Sequence, residues 1–140
     1  MPGYIGLMSD PDTGKPGQPA TVYAPAQTPV IATATGAAAT TTATLAAVAG
    51  KTNYLTGFEI TAGGATAAAL VSVSVTGLLG GTIAYTYGAV AGATLACTPL
   101  VVEFYPPLPA SAANTAIAVA VPSLGTGNTV CNVVAHGFYQ

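Results

Sequence analysis

Val71-Ser72-Val73-Ser74-Val75 alternates an apolar with a small polar side chain at every step. A period of two puts the valines on one face of an extended strand and the serines on the other. Gly77, Gly80 and Gly81 interrupt the pattern, and Ile83-Ala84-Tyr85-Thr86-Tyr87 then repeats it. This stretch decides the class because it has a rival reading. No charged residue occurs in the 43 positions from Ile60 to Val102, and a hydropathy window flags Ala67–Tyr85 as a membrane span. The alternation, the glycines, and flanks without Lys/Arg asymmetry or Trp argue against a spanning helix. A transmembrane β-barrel also alternates. However, Pro2-Gly3-Tyr4 opens the chain with no basic segment before an apolar core, so no export signal is read there. The expectation is a chain synthesised in a cytoplasm and not inserted in a membrane.

The same signals extend outward from this core stretch. Thr52 to Thr61 alternates, with Tyr54, Thr56, Phe58 and Ile60 expected on one face and Leu55, Gly57, Glu59 and Thr61 on the other; Gly63-Gly64 ends it. Thr94–Cys97 reads as a short strand before Pro99. Leu100–Tyr105 reads as a strand stopped by Pro106-Pro107. Ile117, Val119 and Val121 alternate with Ala116, Ala118 and Ala120 until Pro122, and Val130–Phe138 is the last strand. Ala37–Ala49 mixes helix-favouring Ala with β-branched Thr, and strand is favoured because its polar positions follow no helical stripe. About eight short strands at intervals of ~10–20 residues, without a helix, specify an all-β antiparallel sandwich of jelly-roll type.

Residues 1–29 hold six of the eleven prolines and three of the six charges. Proline fixes φ, removes a donor and extends the preceding residue. The segment therefore reads as an extended N-terminal arm, with residues 30–140 as the β-sandwich domain. Tyr4, Ile5, Leu7, Met8, Val22 and Tyr23 are its apolar anchors, expected to contact a neighbouring subunit or a larger lattice.

Charge excludes more than it selects. The six charged side chains are Asp10, Asp12, Lys15, Lys51, Glu59 and Glu103. An ordinary domain is ~25% charged, which would give about 35. Two Lys and no Arg leave no footprint for nucleic acid. With 51% hydrophobic residues the chain is not a disordered segment either. Ala, Gly, Thr and Ser supply 72 residues. An outward face such as Ala116, Ala118, Ala120 is too apolar for water and too small for a core, so its use is flat contact with another protein. A homo-oligomer is expected, with a cyclic trimer as the favoured state.

Candidate chemistry is sparse. His136 has no acid near it in sequence, and Cys131, five residues before it on one strand, faces the opposite side, so the two cannot form a dyad. Asp10-Pro11-Asp12-Thr13-Gly14 resembles the start of a calcium loop, but Thr21 stands where a Glu ligand is needed. Glu59 and Glu103 could serve a hydrolase if they lay within ~5–10 Å in a cleft. The plainer reading makes them solvent-facing, or pairs Glu59 with Lys51. No cofactor or metal is expected. Cys97 and Cys131 read as buried small hydrophobes, or as partners in a disulfide formed later, within or between chains.

Three phrases then carry a resemblance: Phe104-Tyr105-Pro106-Pro107-Leu108-Pro109-Ala110-Ser111, Asn114-Thr115-Ala116-Ile117 and Val134-Ala135-His136-Gly137-Phe138. With the Pro-rich arm and the Ala/Thr/Gly sandwich, the chain resembles virion proteins of tailed bacteriophages, most of all capsid decoration (cement) proteins. That resemblance implies a non-enzymatic structural protein on the outer capsid surface, bound to the major capsid protein and to copies of itself as a homotrimer. The alternatives are a head fibre or tail module that binds a receptor or glycan through an aromatic pocket built from Tyr85, Tyr87 or Tyr105, and a small β-sandwich hydrolase.

Overall fold

The computed structural model describes residues 25–127 and 129–140. The arm anchors Tyr4 to Tyr23 and the Asp10–Gly14 segment lie outside them. Eight strands follow in chain order: β1 Thr28–Gly36, β2 Thr41–Leu45, β3 Asn53–Gly63, β4 Ala69–Thr76, β5 Ile83–Ala89, β6 Leu100–Pro109, β7 Ile117–Val121 and β8 Val130–Tyr139. They form two four-stranded sheets, ordered β1-β8-β3-β6 and β2-β7-β4-β5. Every ladder is antiparallel.

The pairings β1 with β8, β2 with β7, β3 with β6 and β4 with β5 join first to last, second to second-last, and so inward. A long antiparallel ribbon wrapped onto itself gives this pattern, which is the winding of a jelly roll. The fold class expected from the sequence is therefore present.

Alternation explains which side chains reach the core. Val73, Val75, Ile117, Val119, Val121 and Val133 are fully buried between the sheets, with Phe58, Leu55 and Ile60 from β3. Burying one such side chain contributes roughly 1.5–3 kcal/mol. The sheets lie close where β2 meets β1 and β8. Toward β5 and β6 the space is filled by aromatic side chains. Tyr85 meets Phe58 edge-on with ring centroids 5.4 Å apart, and Phe104 lies tilted at 6.3 Å from the same ring.

Asn53 is the polar keystone of one end. Its Nδ2 donates to the carbonyls of Ala46 (2.9 Å), Thr115 (3.0 Å) and Leu45 (3.3 Å), tying the exits of β2 and the entry to β7 onto β3.

Four details depart from the sequence reading. β1 starts at Thr28, inside the segment assigned to the arm. Thr94–Cys97 is not a strand: it runs beside the end of β3, where Ala96 bridges Gly63 and the Cys97 N–H donates to the Ala62 carbonyl at 2.7 Å. Pro106 and Pro107 do not stop β6, which continues to Pro109. β6 is an edge strand, and a proline without a donor is tolerated where no further strand must be bonded. Finally, Tyr54 does not share a face with Phe58. Leu55 is buried in its place, and Tyr54 stacks on Phe138 with centroids 4.9 Å apart.

Candidate functional site

The last departure has a local cause. Against β8, Leu55 pairs Gly137 and Gly57 pairs His136, so Thr56 is an extra residue. A single extra residue is a β-bulge; it reverses the alternation and bends the strand. Leu55 and Phe58, three apart, thereby both point inward. Against β6 the mismatch is larger. Leu55 pairs Leu108 and Gly57 pairs Glu103, so Phe104-Tyr105-Pro106-Pro107 stands opposite Thr56 alone. Four residues facing one must arch. Phe104 tucks toward Phe58, and Tyr105 at the apex is fully exposed.

The arch and the bulge enclose a groove of about 470 Å³ on the outward side of the β1-β8-β3-β6 sheet. Thr56, Glu59, Glu103, Tyr105 and His136 line it. The register explains this convergence. His136, Gly57 and Glu103 form one row across β8, β3 and β6. Glu59 lies in the adjacent row, between Val134 and Val101. Gly57 carries no side chain, so the floor of the groove is backbone. A Cβ there would stand 2.7 Å from the Val102 carbonyl oxygen, and no larger residue fits without moving β6.

His136 Nε2 lies 3.5 Å from Glu59 Oε1, with the side chains 38% and 50% exposed. Glu59 is solvent-facing, one of the two readings the sequence offered, and its partner is His136, not Lys51 as in the other. Spacing along the chain hid this, because the two residues are 77 positions apart. Glu59 and Glu103 are diagonal neighbours on adjacent strands, a relation that sets Cα atoms ~7–8 Å apart. Both carboxylates open onto solvent. They can accept hydrogen bonds; Tyr105 and Thr56 can donate them, and the exposed Tyr105 ring offers an apolar face. No Lys or Arg lines the groove.

The other candidates fall elsewhere. Of the three tyrosines assigned to a pocket, Tyr87 is 3% exposed and Tyr85 packs inward on Phe58. Tyr105 alone is presented. Cys97 and Cys131 are free and buried, 4% and 1% exposed. At that burial neither sulfur is offered to another chain. Cys131 points into the core and His136 away from it. Cys97 lies beside Tyr87, not His136. Burial, with smaller contributions from the Cys97 and Cys131 sulfurs, pushes the Tyr87 phenol up to about 12. Burial likewise pushes the Cys131 thiol up, partly offset by the Thr41 hydroxyl.

Among the described residues no cluster of His, Cys, Asp and Glu is arranged to hold a metal ion, and no helix is long and apolar enough to cross a membrane.

The outward face of the second sheet is the opposite of the groove. Thr42, Ala120, Ser74 and Ala84 form one row across β2, β7, β4 and β5. Thr44, Ala118 and Thr76 form the next, and Ser72 faces Thr86. No charge interrupts this face, and Leu70 is its one large apolar side chain.

Compared with known proteins, the chain matches no protein-family model, no curated protein and no solved structure.

Proposed function

We propose that the protein is a non-enzymatic structural component of a virus particle, a decoration protein that braces a phage capsid lattice by contacts with the major capsid protein and with copies of itself as a trimer. The observation that carries this reading is the uncharged, small-residue face of the β2-β7-β4-β5 sheet. Rows of Thr, Ser and Ala leave that surface flat, so a second backbone can approach closely, and no ionic group must be desolvated when it is covered. Only Lys51, Glu59 and Glu103 carry charge in residues 30–140, and two of these lie on the other sheet. Jelly rolls recur in viral shells and also in lectins and cupins, so the fold agrees with the reading without selecting it.

The test is co-sedimentation with intact particles. The protein should pellet with them at stoichiometric copy number. Ala120→Glu, which puts a charge in the middle of the flat face, should abolish binding while the purified variant keeps its β-rich circular dichroism. Deleting residues 1–24, which leaves β1 whole, should weaken binding through loss of Tyr4, Ile5, Leu7, Met8, Val22 and Tyr23. Particles without the protein, or normal binding by Ala120→Glu, would reject the reading.

A further inference from the structure

We infer that the groove between the Phe104–Pro107 arch and the Thr56 bulge is a binding site for a neutral saccharide. The inference does not rest on the shell reading, because the groove lies on the opposite sheet. Three observations combine. First, two of the three charged residues in residues 30–140, Glu59 and Glu103, and the one histidine of the chain converge here. Second, the convergence is built by two register irregularities in neighbouring ladders, at the same place. Bulges of this kind re-aim side chains and are enriched beside functional sites. Third, Tyr105 stands fully exposed at the rim. A large aromatic side chain held there by a proline-flanked arch gains nothing from the core.

The chemistry of the lining selects the ligand. A pyranose has one face of C–H groups and a rim of hydroxyls that both donate and accept. Its apolar face fits the Tyr105 ring, supported by Val101 and Pro107. Its hydroxyls can donate to the Glu59 and Glu103 carboxylates and accept from Thr56, Tyr105 and His136. An anionic ligand meets two carboxylates and no Lys or Arg. A cation would use the carboxylates and the ring but leave the donors idle, and Glu59 already has His136 at 3.5 Å. The volume, about 470 Å³, falls in the ~300–1,000 Å³ range of small-ligand sites.

The test is amide chemical-shift mapping of the ¹⁵N-labelled full chain with maltotriose, chitotriose and lactose as probes. Together these sample equatorial and axial hydroxyls and acetamido groups, so a site that reads a stacked ring plus hydroxyls must register at least one. Shifts should be confined to Thr56–Glu59, Val101–Tyr105 and His136, with a Kd on the order of 1 mM for one ring on an open groove. Tyr105→Ala should weaken binding roughly tenfold and Glu103→Gln several-fold. Both side chains are exposed, so both variants should keep the wild-type spectrum elsewhere. Failure of all three sugars, shifts mapping to another surface, or unchanged binding by Tyr105→Ala would overturn the inference. So would binding of acetyl-arginine amide with no response to the sugars, which would make the groove a cation site.

Discussion

His136 Nε2 and Glu59 Oε1 meet at 3.5 Å across two neighbouring strands, on a surface where both side chains remain between a third and a half exposed. Water screens such a pair, and exposed ion pairs contribute only ~0–1 kcal/mol. Glu59→Gln and His136→Asn should therefore leave the urea midpoint nearly unchanged, and a double-mutant cycle should return a coupling below about 1 kcal/mol. A larger coupling in equilibrium unfolding would make the pair a structural element and not part of a ligand surface.

Asn53 should behave in the opposite way. Its amide serves three carbonyls from two other segments and is 1% exposed. Asn53→Ala leaves the buried Leu45 carbonyl and the part-buried Ala46 and Thr115 carbonyls without this donor and opens a small cavity, and should cost ~1–3 kcal/mol. Asn53→Asp removes the donor while keeping the shape, and should cost at least as much. Chemical denaturation of the two variants checks both.

Gly57 sets the distance between β3 and β6 at the groove. Gly57→Ala places a methyl 2.7 Å from the Val102 carbonyl oxygen. The edge strand must shift, so a loss of ~1–3 kcal/mol is expected, with amide shifts concentrated in residues 101–107. A neutral substitution would show that β6 gives way freely.

Strongly alkaline pH should destabilise the fold through its core. The phenol of Tyr87 is raised to about 12 by burial, against about 10 in the unfolded chain. The neutral form is the one the fold favours. The resulting stability is complete below pH 10 and is lost as pH climbs through 10 to 12. Cys131 is raised as well and acts in the same direction above its ordinary 9.0. Tyr87→Phe should keep neutral-pH stability within ~1 kcal/mol and move the alkaline midpoint upward. Circular dichroism against pH for the two proteins is the measurement.

Thiol accessibility gives a further check. Cys97 and Cys131 should resist Ellman's reagent in the native protein and both react in denaturant. Non-reducing gels should show no inter-chain ladder, since both sulfurs are buried.

The fold was legible where side chains alternate. Val71 to Val75 and Ile117 to Val121 obey period two and occupy the core as their pattern demands. The site was not legible, because it is made by breaks in that pattern. Gly57 in mid-strand and Pro106-Pro107 late in β6 were its traces: a glycine inside a strand marks a bulge or a close backbone approach, and paired prolines mark an edge. Neither trace shows which strands adjoin. That a Glu on β3 would meet a His on β8 depends on non-local register, which periodicity along one strand does not contain. Tyr54 and Leu55 exchanged faces because the extra residue Thr56 reverses the alternation within β3.

The position of β8 also governs how this protein comes into being. It lies between β1 and β3, and its pairing of Tyr139 with Thr28 spans almost the whole described chain. A nascent chain cannot assemble the first sheet until β8 has left the ribosome. Until then β1, which carries no charge, and β3, which carries only Glu59, wait with open edges, and pairings this distant in sequence form slowly. For a protein so poor in charge, the dangerous moment is the interval between synthesis of β1 and emergence of β8, and slow translation or crowding of nascent chains should lower its yield.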